Sequence, residues 1–343
     1  MSREEEQYLR TETLIGVTSN RQEGYHFNPY NPTYSSTVHG DSVCWESLYY
    51  VNPDNGTEYG WLCTHYEYSS NYTTIRWFIR PGVKWSDGQP FTAQDMIYTL
   101  NMIQYDPAVP MQILVADLIN ATSENNGLTC VITYATPKPL IWTVFANLFY
   151  YGWRVVPEHI YSQNVNTGQP GGESLPLPSQ WAPNEPDEWV ATGPFVLYSA
   201  SVEGPFIYRR NDDYWGNALY GLPQMKWIIR KLLSLGEQNI FDITHNEIDL
   251  TGTMITWTQF KSALENNPHL QWIEHLDARP RVLYLNLDKY PLNYSSVRWA
   301  LAHSINQTKL TEYTLEGHGY ESSAIIAEYP ALEKFLPDTV GTG

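Results

Sequence analysis

The chain has 343 residues with 20 Lys plus Arg against 37 Asp plus Glu, a formal net charge of −17, so nucleic acid would meet net repulsion with no basic stripe to offset it. Aromatic residues make up 14% and charged residues only 17%, with 13 Trp and 26 Tyr, an apolar content that excludes a disordered chain. At roughly 150 residues per domain, the length predicts about two domains with cores that need no staples.

The N-terminus, MSREEEQYLRTETLIGV, is charged and acidic and lacks the apolar stretch of a secretory signal. Cys44, Cys63 and Cys130 are too few for a disulfide framework and are not spaced as zinc ligands. A Cys44–Cys63 bridge stays open, with three buried thiols as the preferred reading. Ile75, Trp77 and Ile79 alternate with Arg76, Phe78 and Arg80, which predicts a half-buried strand. Pro81-Gly82 and Asp87-Gly88 supply turns on either side of a short strand, Val83 to Trp85. Thr92 stands three residues before Asp95, a capping box, and Met96, Ile97, Leu100 and Ile103 share one face of the helix that follows. The richest apolar run, Leu140 to Phe149, is interrupted by Thr143 and Asn147 and falls short of the roughly 18 residues of a spanning helix.

Glycines and prolines make Gly168 to Asp187 the clearest loop, expected to separate two structural units. Beyond it, Phe195–Tyr198, Phe206–Arg209 and Met225–Leu232 read as strands. Ile240–Asp249 and Thr258–Asn266 read as helix, strand and helix again, Arg281–Leu287 as an alternating strand, and a last helix starts at Ser295 with Val297, Ala300, Leu301 and Ile305 at helical spacing. Helices alternating with strands imply α/β layers.

The segment RWFIRPGVKWSDGQPFTAQDMIYTL, Arg76 to Leu100, resembles the signature of the family 5 extracellular solute-binding proteins, the dipeptide and oligopeptide receptors of ABC importers. That signature is a strand, R-x-G-V-K-aromatic-x-D-G-x-P-F-T-A-x-D, and a helix. Further segments are similar in the family's order: Trp45-Glu46-Ser47-Leu48-Tyr49, an early helix ending in E-x-L; Ala191-Thr192-Gly193-Pro194-Phe195; Arg210 to Gly216 as R-N-x-x-Y-W-G; Asn246 to Asp249 as G-E-I-D; and Leu285 to Leu301. Ala191 and Asn246 stand where the family usually has glycine, and Asn306 where it has aspartate.

The resemblance implies an α/β, bilobal fold of the periplasmic-binding-protein type II kind (large cluster C), with the first lobe nearly complete and the second truncated. Residues 1–44 and 189–279 would form the core of lobe 1, residues 45–188 its accessory domain carrying the signature, and residues 280–343 the start of lobe 2. It implies a receptor that captures an oligopeptide or similar extended solute between two lobes and presents it to permease subunits. Such a receptor would be a monomer peripheral to the membrane, periplasmic or extracellular, with no enzymatic activity, cofactor, metal or nucleic acid.

Most signature residues have structural roles: Asp87-Gly88 a tight turn, Thr92 and Asp95 a helix start, Trp85 and Phe91 core anchors. Arg298 either pairs with a carboxylate or is a solvated helix residue. By position in the family, Asn28 to Ser35 and Tyr284 to Asn286 should meet ligand, giving Tyr34, Ser35, Tyr284 and Asn286 as candidate contacts. The abundant indoles open a second ligand class, β-linked oligosaccharides, with Trp45, Trp61, Trp257 and Trp272 as stacking platforms. Trp257 joins the candidate contacts, whereas Trp45 and Trp272 sit in apolar patterns that also suit a core. A glycoside hydrolase needs two acids about 5 to 10 Å apart, and only local pairs such as Glu185 with Asp187 or Glu247 with Asp249 are present. No G-x-S-x-G, H-E-x-x-H, P-loop or G-x-G-x-x-G motif occurs. A truncated remnant that binds nothing is the remaining alternative.

Overall fold

The computed structural model describes residues 8–18, 28–32, 41–52, 55–145, 153–183, 189–200, 205–232, 237–251, 256–272, 282–319 and 321. The chain divides into two units: Met1–Val51 with Glu58–Ser234 and Glu247–Gly252, and Asn52–Thr57 with Leu235–Asn246 and Thr253–Gly343.

The first unit carries β1 (Thr13–Thr18), a four-residue helix α1 (Asp41–Cys44), and a short hairpin of β2 (Tyr49–Val51) and β3 (Glu58–Gly60). An antiparallel sheet follows in the order β4 (Cys63–Tyr68), β5 (Thr74–Ile79), β7 (Thr129–Tyr134), β6 (Leu118–Glu124). The predicted alternation is realised in β5, where Ile75, Trp77 and Ile79 are buried and the residues between them are not. Pairing sets Ile75 beside Ile132 and Trp77 beside Cys130. Helix α2 (Ala93–Tyr105), between β5 and β6 in sequence, packs across β6 and β7 and sends Met96, Leu100 and Ile103 into the same core as Ile75, Trp77 and Ile132. Val83 to Trp85 forms only a single bridge, Lys84 to Pro90, around the Asp87-Gly88 turn.

Next come α3 (Trp142–Phe145) and α4 (Glu158–Asn164). The loop from Gly168 carries no helix or strand in its described part, and it leads to β8 (Phe195–Ser199) within the same unit. β8, β9 (Phe206–Arg210) and, after α5 (Asn217–Tyr220), β10 (Trp227–Leu232) form a second sheet in the order β1-β10-β9-β8. β1 runs parallel to β10, and the other pairs are antiparallel. The strand expected before Asp249 is a single parallel bridge from Leu250 to Gly16 on the free edge of β1.

The second unit contains α6 (Glu237–Thr244), α7 (Trp257–Asn266), α8 (Ser295–Ser304) and α9 (Gln307–Leu315). Ile243 of α6 and Ala263 of α7 are buried, and Asn267 donates to the Thr244 carbonyl at 3.0 Å and to Asn246 Oδ1 at 3.1 Å. No residue of α8 is buried. Among the described residues no helix is long and apolar enough to cross a membrane.

Two expected elements differ. The early helix ends at Cys44, so Trp45 to Ser47 lie beyond it, where the Leu48 carbonyl accepts the amides of Trp61 and Cys63. Those bonds commit the segment to the β2–β3 hairpin and stop the helix. Residues 282–287 form no strand, and Val282, Leu283, Tyr284 and Leu287 are exposed. A strand needs a neighbour for its amides and carbonyls, and among the described residues this segment has none.

Candidate functional site

The signature loop is rigid for reasons its sequence states. Gly88 adopts φ +88° and donates to the Trp85 carbonyl at 2.9 Å, closing the turn that Asp87 opens. Thr92 caps α2 by accepting from the Gln94 amide at 3.2 Å, and Asp95 Oδ2 accepts the Thr92 amide at 2.8 Å. The other oxygen of Asp95 accepts the Glu158 amide at 3.0 Å, so one buried carboxylate caps the starts of both α2 and α4. Burial pushes the Asp95 carboxyl above its ordinary range, and the hydrogen bonds from Glu158 and Thr92 oppose that shift. His159 Nε2 lies 2.6 Å from Asp87 Oδ2, tying the turn to α4. Trp85 and Phe91 are buried anchors in ring contact at 5.4 Å.

Three resemblance segments, those holding Glu46, Thr192 and Tyr214-Trp215, meet at Glu46, which is only 7% exposed. Its Oε1 accepts the Trp61 indole N–H at 2.8 Å and the Tyr214 hydroxyl, and Oε2 accepts the Trp215 indole N–H at 2.9 Å. Burial raises the Glu46 pKa, while Tyr214, Trp61, Trp215 and Thr192 pull it back. Alongside, the Gly193 amide donates to the Cys44 carbonyl at 2.7 Å, an approach so close that a Cβ there would stand 2.4 Å from that oxygen. The signal that these segments belong together lay in the resemblance; nothing in the local pattern around Glu46 points to partners at 61, 214 and 215.

The candidate contacts fall in three places. Tyr34 and Ser35 lie outside the described residues. Their neighbours Asn28, Tyr30 and Asn31 are buried: Asn28 Nδ2 donates to the carbonyls of Pro178 at 2.7 Å and Trp181 at 3.0 Å, and the Tyr30 hydroxyl to that of Arg154. Residues 28–32 therefore anchor the segment to the loop before β8. Tyr284 is 89% exposed, and Asn286 shapes an exposed turn by accepting the Asp288 amide at 3.0 Å.

Trp257 is half-buried in the second unit, in ring contact with Phe260 at 5.6 Å, Trp272 at 5.5 Å and His318 at 3.8 Å. Among the described residues no hydrogen bond or ring contact joins Trp257 to Tyr284 or Asn286. Of the other platforms, Trp45 is buried against Trp85, so it is core. Trp61 is tied to Glu46 through its N–H and covered on one face by Tyr220, stacked at 4.6 Å. Trp272 remains 47% exposed.

Glu46 and Asp95 spend their oxygens on internal donors, which leaves neither a place in acid–base chemistry. Comparison with known proteins agrees. The family model for bacterial extracellular solute-binding proteins, family 5 Middle, matches residues 57–338. The oligopeptide-binding protein OppA of Bacillus subtilis is 23% identical over 316 residues, 86% of this chain and 53% of that protein. The crystal structure of a periplasmic oligopeptide-binding protein of an oligopeptide ABC transporter from Thermotoga maritima superposes with a TM-score of 0.77 at 22% identity, over 96% of this chain and 58% of that one. A mannohexaose-bound structure of the Thermotoga protein gives a TM-score of 0.75 at 21% identity, with the same coverage. The fold is thus a mixed α/β, periplasmic-binding-protein-like fold, and the chain spans a little over half the length of these relatives.

Proposed function

Because the chain belongs to the bacterial extracellular solute-binding proteins of family 5, a family of binders and not of enzymes, we propose that the complete receptor captures an oligopeptide or similar extended solute between two lobes and presents it to the permease of an ABC importer. The observation that carries this is the family match across residues 57–338, supported by the likeness to oligopeptide-binding structures. Solute that touches both lobes only in the closed form makes that form dominant, and the permease reads it. Within this reading the receptor works as a monomer outside the cytoplasmic membrane. Tyr34, Ser35, Tyr284, Asn286 and Trp257 contact solute, and residues 280–343 open the second lobe.

A second ligand class, an oligosaccharide, is supported by the mannohexaose-bound structure of the Thermotoga protein. Mass spectrometry of small molecules that co-purify with the protein, followed by calorimetry with a peptide series and with cello- and xylo-oligosaccharides, tests the proposal. Saturable binding of one class is expected; binding of neither overturns it.

A further inference from the structure

The N-x-S/T sequons have no part in solute capture. There are five, at Asn55, Asn71, Asn120, Asn293 and Asn306, and all five asparagines are exposed. Sequons recur by chance in a chain rich in Asn, Ser and Thr, so the motif alone selects no site. Hydrogen bonding does. Asn71 stands in the turn between β4 and β5, where the Tyr72 amide donates to the Ser69 carbonyl at 2.9 Å and Tyr72 holds φ +57°. Its Oδ1 accepts from the Ser69 hydroxyl at 2.7 Å, the Thr73 hydroxyl at 2.9 Å and the Thr73 amide at 3.3 Å. Ser69 is itself fixed, because its hydroxyl oxygen accepts the Thr74 amide at 3.0 Å. Three donors settle which end of the carboxamide is the oxygen. Nδ2, with no hydrogen-bond partner among the described residues, is the end left to water. Among the described residues none of the other four asparagines accepts from its own sequon hydroxyl. Asn55 Oδ1 takes only the Thr57 amide, at 2.9 Å. Asn120 lies within β6 opposite Thr133, and Asn293 stands two residues before α8 begins. Asn306 caps α9, while the Thr308 hydroxyl donates to Glu321.

We propose that Asn71 is a site of N-linked glycosylation, its Nδ2 carrying an oligosaccharide transferred from a lipid phosphate outside the cytoplasmic membrane. The inference rests on the reading of the chain as an extracellular receptor and adds to it a covalent modification. An amide nitrogen is a weak nucleophile because its lone pair is shared with the carbonyl. Donors on Oδ1 favour the form in which charge has moved to that oxygen and Nδ2 has lost a proton, and the Thr73 hydroxyl is such a donor supplied by the sequon itself. In the transfer, the bond between sugar C1 and the lipid phosphate oxygen breaks, and the lipid phosphate leaves with the electron pair. C1 bonds to Nδ2, which gives up one proton. Because the Asn71 side chain holds the turn through Oδ1 alone, a sugar on Nδ2 breaks none of its bonds.

The test is mass spectrometry of the protein recovered from outside the cytoplasmic membrane of the cells that make it, with peptide fragmentation that keeps sugars on their side chains. Wild type is compared with Asn71→Asp, Thr73→Val, Thr73→Ser and Asn55→Gln. Wild type is expected to carry the mass of one or more sugar residues on Asn71. Asn71→Asp keeps an oxygen for all three donors and lacks only the nitrogen, so it should fold and lose that mass completely. Thr73→Val should lose it, Thr73→Ser should keep most of it, and Asn55→Gln should keep all of it. An exported protein with Asn71 unmodified, whether or not another sequon carries sugar, overturns the site and leaves the receptor standing. So does sugar on Asn71 that is undiminished in Thr73→Val, which would remove the hydroxyl from the argument. A protein found only in the cytoplasm removes the extracellular reading and the site together.

Discussion

Glu46 and Trp215, 169 positions apart in sequence, are joined by a 2.9 Å hydrogen bond from the indole Nε1 to the carboxylate Oε2. With Trp61 and Tyr214 on the other oxygen, a single buried acid fastens the segment after α1, the residue after β3 and the turn after β9. A carboxylate suits this place because both oxygens face donors. Glu46→Gln turns one oxygen into an N–H2 that confronts a donor, and should cost about 1–3 kcal/mol, read from urea denaturation.

The pH dependence of the same site has a definite sign. Burial raises the folded pKa of Glu46 above its ordinary 4.5, so folding takes up a proton there between the two values. The contribution of this group to stability is full below about 4.5 and is lost as pH rises through the raised value. The stability difference between wild type and Glu46→Gln should therefore shrink from pH 4 to pH 7. A difference that grows over that range would show that the three donors outweigh burial.

Much of this fold is local and so is readable in sequence: the period of two in β5, the glycine of the Asp87-Gly88 turn, and the capping box at Thr92. The departures from family pattern were readable too, once the geometry was known. Asn246, in place of glycine, holds φ +61°, a left-handed conformation that asparagine tolerates better than most residues. Asn306, in place of aspartate, still caps α9 by accepting the Lys309 amide at 2.9 Å. What stayed hidden depends on distant partners. Alternation over Arg281 to Leu287 cannot report whether a neighbouring strand exists. Arg298 is half-buried and meets no carboxylate among the described residues, and it donates to the carbonyls of Leu292 at 2.8 Å and Asn293 at 3.1 Å. Of the candidate site, Trp257 was reached through its residue type, while His318, which meets its ring at 3.8 Å, carried no pattern that tied it there.

The capping carboxylate of Asp95 serves two helices, and the threonine beside it serves one. Thr92→Ala should cost about 1 kcal/mol. Asp95→Ala should cost more, about 3 kcal/mol, because the amides of Thr92 and Glu158 both lose a charged acceptor inside the protein. Thermal melts of the two variants check the order. Equal losses would mean that Asp95 does not hold the start of α4.

Gly193 is required by contact rather than by backbone angle. A methyl group there would meet the Cys44 carbonyl oxygen at 2.4 Å and the Val43 carbonyl oxygen at 2.7 Å, both backbone atoms that cannot swing aside. Gly193→Ala should break the 2.7 Å bond from the Gly193 amide to Cys44 and cost about 2 kcal/mol or more. Gly82→Ala, with open space around its Cβ position but φ +85°, should cost only about 1 kcal/mol. The contrast between the two, measured by urea denaturation, separates collision from strain; comparable losses would contradict it.

The three thiols report on the core of the first unit. Cys44, Cys63 and Cys130 are buried thiols, and burial pushes the Cys130 thiol from 9.0 up to about 12 and raises Cys63 as well. A thiol reacts as its thiolate, so at pH 8 none of the three should react with an aromatic disulfide reagent in the folded chain, and all three should react after unfolding in guanidinium. Because the folded pKa of Cys130 is the higher one, its contribution to stability is full below about 9 and is lost as pH rises towards 12. Cys130→Ala should accordingly flatten the loss of stability between pH 9 and pH 12, apart from a cavity cost that is independent of pH. Rapid modification of a single thiol in the native protein at pH 8 would place that cysteine outside the core, and an unchanged alkaline slope in Cys130→Ala would remove the titration argument.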